Sequence, residues 1–218
     1  MKNTTKFTPV LIGVVLLGCA ACRGGVASDE KTPPKTLTTR QLDQVVVSGT
    51  VKGYRADEVP AKDVPAPDPL TADRHECDPI AALTGGVLRV KPKAVVYRSL
   101  KPVDAENATV GNVWLSSYAD RDAERVMADL DTAVDKCAEP FTTAGLTYRS
   151  VQRVGSRDAD LMAFRLTGEI ARRKITMNYS VVRTKGLVTT FYGVNTLNPE
   201  NGMIPAAVIE AQLERLAD

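Results

Sequence analysis

Leu161-Met162-Ala163-Phe164-Arg165-Leu166-Thr167-Gly168-Glu169-Ile170 and, a few residues on, Ile175-Thr176-Met177-Asn178-Tyr179-Ser180-Val181-Val182-Arg183 decide the fold class. In the second run Ile175, Met177, Tyr179 and Val181 take one face, and Thr176, Asn178 and Ser180 the other. In the first, Met162, Phe164, Leu166 and Ile170 share a face. A period of two is the signature of a strand, since successive Cβ atoms point to opposite sides of a sheet. Two similar runs flank them, Leu146 to Val154 and Leu187 to Asn195. Connections this short suit tight turns, so the four runs predict an antiparallel meander with one face buried and one polar.

Upstream of the meander the period changes. From Asp120, the residues Ala123, Val126, Met127, Leu130, Val134 and Cys137 recur at spacings of three and four, which predicts an amphipathic helix capped by Asp120 or Asp122. Ala94 to Leu100 and Val110 to Tyr118 read as strands before it, and Val51 to Glu58 as another. Glu76 to Leu83 reads as a short helix, with Pro79 in its first turn and Gly85-Gly86 ending it. Prolines at 60, 65, 67 and 69 forbid a helix or a central strand there and predict a long loop. Thr38-Thr39-Arg40-Gln41 forms a capping box for a helix from Thr39 to about Ser48. Asn201-Gly202 breaks the chain before a closing helix, Pro205 to Leu216, with Val208, Leu213 and Leu216 inward. Strands in runs and helices apart from them make the class α+β, an antiparallel meander sheet with helices packed on one face.

The N-terminus reads differently. Lys2 and Lys6 precede an apolar run, Val10 to Leu17, far shorter than the roughly 20 residues of a membrane span but suited to a signal peptide. Leu16-Leu17-Gly18-Cys19 then resembles the lipobox of bacterial lipoproteins. That resemblance implies diacylglyceryl transfer to the Cys19 sulfur, cleavage before Cys19 and acylation of the new amino group; ordinary secretion near Ala20-Ala21, or use of Cys22, are the alternatives. Two or more acyl chains hold a protein stably on a bilayer. Residues 23–35, rich in Gly, Ser, Pro and mixed charge, have no apolar face to bury and read as a tether. The expected organisation is a signal peptide over 1–18, lipidated Cys19 and tether over 19–36, and a single domain over 37–218. The expected location is the extracytoplasmic face of the cell membrane.

Four cysteines occur, and only Cys77 and Cys137 fall in the domain. In an oxidising compartment they predict one disulfide, against the alternative of two buried thiols. The formal net charge of +2 gives no drive toward nucleic acid. Arg172-Arg173-Lys174 reads as a solvated turn. The single histidine sits in Arg74-His75-Glu76-Cys77-Asp78, whose spacing matches no structural zinc pattern. No Gly-x-Ser-x-Gly elbow or phosphate loop is present, and Asp158 and Asp160 read as turn residues. The expectation is therefore no catalytic residue, no metal and no cofactor. Trp114 alternates with Val113 and Leu115, so both faces of its strand are apolar; either a second layer covers it or a groove lies there.

Leu37-Thr38, Gln41-Leu42, Glu76-Cys77, the Asp120 to Cys137 helix and the strands from Tyr148 to Val194 together make the domain similar to a family of actinobacterial extracellular sensor domains. These occur as stand-alone lipoproteins and as the outer domain of membrane Ser/Thr kinases. The resemblance implies a non-catalytic ligand-binding or sensor module. The resemblance implies, for the kinase domains, two disulfides around a cleft, whereas only Cys77 and Cys137 are available here. Two other readings compete: an interaction lipoprotein that docks on an envelope protein through a sheet edge or the Pro60–Pro69 loop, and a cell-wall enzyme. An apolar or mixed groove favours the first, a flat apolar patch the second, convergent ionisable groups the third.

Overall fold

The period-two pattern builds a nine-stranded, wholly antiparallel sheet. The computed structural model describes residues 36–170 and 173–217. The expected signal peptide, Cys19, Cys22 and the expected tether as far as residue 35 lie outside them.

The strands are β1 (Gly49–Val51), β2 (Tyr54–Glu58), β3 (Ala94–Pro102), β4 (Thr109–Ser117), β5 (Phe141–Thr143), β6 (Leu146–Val154), β7 (Leu161–Ile170), β8 (Arg173–Thr184) and β9 (Leu187–Asn195). The helices are α1 (Thr39–Val45), α2 (Asp78–Thr84), α3 (Asp120–Lys136) and α4 (Ala206–Ala217). Spatial order is β1-β2-β3-β4-β9-β8-β7-β6-β5. The sheet is thus two meanders. The first runs β1 to β4; α3 carries the chain across to the far edge, and the second runs back from β5 to β9, which closes on β4. Thr109 pairs with Asn195 and Ser117 with Leu187.

Two strands differ from expectation. Val51 to Glu58 is the β1–β2 hairpin, because Lys52 and Gly53 both adopt positive φ (45° and 82°) and turn the chain where one strand was expected. Phe141–Thr143 adds an edge strand too short to show a period, turned by Ala144 and Gly145, again at positive φ. The N-cap of α3 is Ala119, with Asp120 and Asp122 in the first turn, where acids still favour the helix dipole. The capping box at Thr38 and Gln41 forms as expected, though α1 ends at Val45.

Helices on one face describes each half of the sheet but not the whole. Val113, Trp114 and Leu115 are consecutive on β4 and join three different clusters. Leu115 packs with Leu42 and Val46 of the α1 segment. Val113 clusters with Ile204 and with Val208 of α4. Trp114, on the opposite face, clusters with Ile80 and Leu83 of α2 and Val126, Met127 and Leu130 of α3. So α1 and α4 cover one face of the first meander, and α2 and α3 the other face, from Trp114 of β4 across the second meander. Burying each such aliphatic side chain stabilises by about 1.5–3 kcal/mol.

The polar face of β8 is polar but not solvated: Thr176, Asn178 and Ser180 are all buried. The short 3₁₀ turn Pro199–Asn201 and Gly202 lie over it, with Gly202 against the Asn178 amide. In α4, Val208 is buried as expected, and Leu213 and Leu216 are half-buried. Gln212 is fully buried as well, like Val208. Its Oε1 accepts from Val47 N at 2.8 Å and its Nε2 donates to Val45 O at 3.0 Å, so it caps the frayed end of α1. Gln212→Leu leaves both backbone groups unpaired. We expect a loss of about 1–3 kcal/mol, read by chemical denaturation; an unchanged midpoint would remove this role from Gln212.

Aromatic rings run across the α3 side of the second meander: Phe164 stacks on Tyr179 at 5.1 Å, and Tyr179 meets Tyr192 at 5.3 Å. Burial pushes the Tyr192 phenol up to about 12, and raises Tyr179, Tyr118, Tyr97 and Tyr148 as well. An unfolded tyrosine ionises near pH ~10. The raised folded values mean that this stabilisation is complete below that pH and is lost as pH climbs toward about 12 for Tyr192. We expect alkaline unfolding in which phenolate absorbance at 295 nm rises together with loss of far-UV circular dichroism. Phenolate appearing well before unfolding would contradict the burial.

Candidate functional site: a groove over the disulfide

Cys77 precedes α2 and Cys137 caps α3, and both are fully buried. They form the expected disulfide, with Cα atoms 5.1 Å apart. It ties α3 by its buried side to the start of α2. Above it opens a groove of about 610 Å³.

One wall is the outer stripe of α3. Arg125, Asp129, Thr132 and Lys136 follow at spacings of four, three and four, so they line one helical face. The opposite wall comes from the His75–Cys77 3₁₀ turn and Arg89-Val90, and Pro79 and Ala133 supply apolar surface. Arg125 and Asp129 form a loose pair at 3.8 Å. Arg74 pairs with Glu76 at 2.6 Å. The Glu76 carboxyl lies below its usual range because of a backbone hydrogen bond first and Arg74 second.

Asp78 anchors the opposite wall. It is buried, its Oδ1 accepts from Ala72 N at 2.9 Å, and its Oδ2 lies 2.7 Å from His75 Nδ1 and 3.8 Å from Arg89. The single histidine is therefore tied to a buried carboxylate while remaining largely exposed. Cys77 is in the disulfide, so the His-Glu-Cys-Asp run is broken up as a ligand set. Among the described residues no group of three or more His, Cys, Asp or Glu converges on a point where a metal would sit.

The other sequence candidates fall elsewhere. Trp114 is buried under α2 and α3, and Val113 and Leu115 under α4 and α1 on the other side, so covering layers, not a groove, explain the two apolar faces. Asp158 caps a turn, accepting from the N–H of Asp160 and Leu161, and Asp160 pairs with Arg183 at 2.6 Å. Both outermost strands, β1 and β5, are three residues long, which leaves little edge for another strand to extend. In the proline loop, Pro65 packs onto Gly86 at the end of α2. Arg173 and Lys174 are exposed at the start of β8.

Sequence reading missed the groove. Its one local signal was the polar stripe of Arg125, Asp129, Thr132 and Lys136, which reads equally as a solvated helix face. Arg89 and His75 reach the same space only through tertiary packing.

The fold and groove define a class: a disulfide-clamped α+β domain with a shallow, mixed-charge groove beside its clamp. No known protein family matches the chain's sequence, and no curated protein does. Among solved structures, the chain is similar to the extracellular domain of PknH from Mycobacterium tuberculosis, with a TM-score of 0.49, 13% sequence identity, and coverage of 84% of this chain and 96% of that chain.

Proposed function

We propose that this protein is a membrane-tethered, extracytoplasmic binding module of the sensor type, without catalytic activity, anchored through acylated Cys19. The observation that carries the binding part is the disulfide-clamped groove. Its guanidinium, ammonium and carboxylate groups surround apolar surface, an arrangement suited to orienting a small charged ligand with an apolar body. A clamp that fixes both walls lowers the ordering cost of binding. The thiol nearest the groove, Cys77, is oxidised in the disulfide, and His75 is paired through Nδ1 with Asp78. The Leu16-Leu17-Gly18-Cys19 run supports the anchor.

Native mass spectrometry of the full chain extracted from its own membranes tests the binding reading. A small molecule that accompanies the wild type and is lost in Thr132→Trp, which fills the groove from an exposed position on its wall, supports it. A chain that is always empty yet captures one envelope protein would overturn it in favour of docking. For the anchor, Cys19→Ser is expected to leave an unprocessed or released protein. Lipidation that survives Cys19→Ser and disappears with Cys22→Ser would move the anchor to Cys22.

A further inference from the structure

We propose that the domain carries a second binding site, independent of the groove, that takes a neutral polyhydroxylated ligand such as an oligosaccharide. A pocket of about 480 Å³ opens at the end of β4 and β9 where Thr109 pairs with Asn195. It lies at the opposite end of the nine-residue strand β4 from Ser117, whose Oγ accepts from Leu37 N close to the start of the described chain. The separation is about 26 Å at the usual rise per strand residue.

The inner wall is a continuous hydrogen-bonded chain. Asn107 Nδ2 donates to Tyr54 OH at 3.2 Å, and Asn107 Oδ1 accepts from Thr109 N at 2.9 Å. Asn195 Nδ2 donates to Thr109 Oγ1 at 3.0 Å, and Thr109 Oγ1 donates to the Asn201 carbonyl at 2.8 Å. Asn195 Oδ1 accepts from Leu197 N and Asn198 N. These bonds fix the wall before any ligand arrives, which reduces what binding must order.

The outer wall carries the recognition groups. Asn198 and Asn201 are exposed, and each amide offers both donors and acceptors. Asp104 and Glu106 add acceptors, and no lysine or arginine lines the pocket. An anionic ligand meets two carboxylates and no cation, so it is disfavoured. A sugar hydroxyl donates one hydrogen bond and accepts others, and amides beside carboxylates satisfy both needs. Met203 and Pro205 supply the apolar ledge on which the C–H face of a sugar ring rests.

The test is titration of the full chain, in detergent, with maltotetraose, mannotetraose and chitotetraose, followed by calorimetry and saturation-transfer NMR. We expect at least one to bind. Asn198→Ala and Asn201→Ala are each expected to weaken it about 5–10-fold, the scale of one lost hydrogen bond. Glu106→Gln keeps the acceptor and is expected to change affinity by less than about 3-fold, since no charge is being read. Thr132→Trp leaves it unchanged, which separates this site from the groove. Binding of none of the three at millimolar concentration overturns the proposal. So does affinity untouched by both asparagine variants, or binding of calcium or tetramethylammonium that disappears with Glu106→Gln, which would make the pocket a cation site.

Discussion

Replacing the bridge by Cys77→Ala together with Cys137→Ala is expected to lower the thermal midpoint of the full chain by about 8–16 °C. The bridge closes a loop with a sequence separation of 60 residues. In the chain-entropy account such a cross-link restricts the unfolded ensemble enough to stabilise the folded one by about 4 kcal/mol. In a domain of this size each 1 kcal/mol moves the midpoint by roughly 2–4 °C. The native thiol count follows from the same fact. Both sulfurs are fully buried and joined, so an alkylating reagent should label neither without reduction and unfolding. Labelling of both in the unreduced protein, or a double variant with the wild-type midpoint, would refute the clamp. The functional consequence is testable in the same variant. With the clamp gone, the two groove walls are held only by packing, so a groove ligand should bind more weakly even below the new midpoint.

Gly193→Ala is the second large effect. Gly193 faces Gly111 across the β4–β9 pair. A Cβ on Gly193 would overlap the carbonyl oxygen of Gly202 and come within 3.2 Å of Ile204 Cδ1. A Cβ on Gly111 would overlap the Tyr192 carbonyl and come within 2.9 Å of Ile204 Cδ1. The paired glycines form a window through which the chain from Gly202 to Ile204 rests directly on the sheet. The obstructing atoms are backbone, so they yield only if that segment lifts. We expect a loss of about 3 kcal/mol, the upper end of ordinary overpacking, and a midpoint lower by about 6–12 °C. Gly155→Ala is the comparison at an open site: unlike Gly193 it has positive φ (77°), but nothing lies within 4 Å of the added Cβ, so only a backbone cost of about 1–2 kcal/mol arises. Hydrogen exchange should accelerate across residues 199–204 in Gly193→Ala and not in Gly155→Ala. A Gly193→Ala midpoint at the wild-type value, or unchanged exchange across residues 199–204, would show that contact with Gly202 is unimportant. The same segment bounds the polar pocket, so Gly193→Ala should also weaken any saccharide bound there.

Local patterns were legible where one period ran long enough. Residues 187–195 form β9 over the expected span, and the stripe from Ala123 to Cys137 forms the buried side of α3. Thr38 and Gln41 close their box because both partners lie within one turn. Short elements were not legible. The β1–β2 hairpin was hidden because Lys52-Gly53 sits inside what reads as one strand, and β5 was hidden because three residues show no period. Gln212 was missed for a different reason: polarity marks it as a surface residue, and only the proximity of Val45 and Val47, on the far side of the chain, makes burial favourable for its amide.

The sequence by itself determined the class of elements, their antiparallel sense, the buried faces of α3 and the second meander, and the residues able to form the bridge. Those features follow from interactions within a few residues or from a single oxidisable pair. The tertiary structure alone decided that β9 closes on β4, that helices cover opposite faces in the two halves of the sheet, and that Trp114 lies beneath a layer. It also decided that His75, Arg89 and Arg125 share one groove. Each of these joins residues distant in the chain, and periodicity says which face of an element is buried but not what buries it.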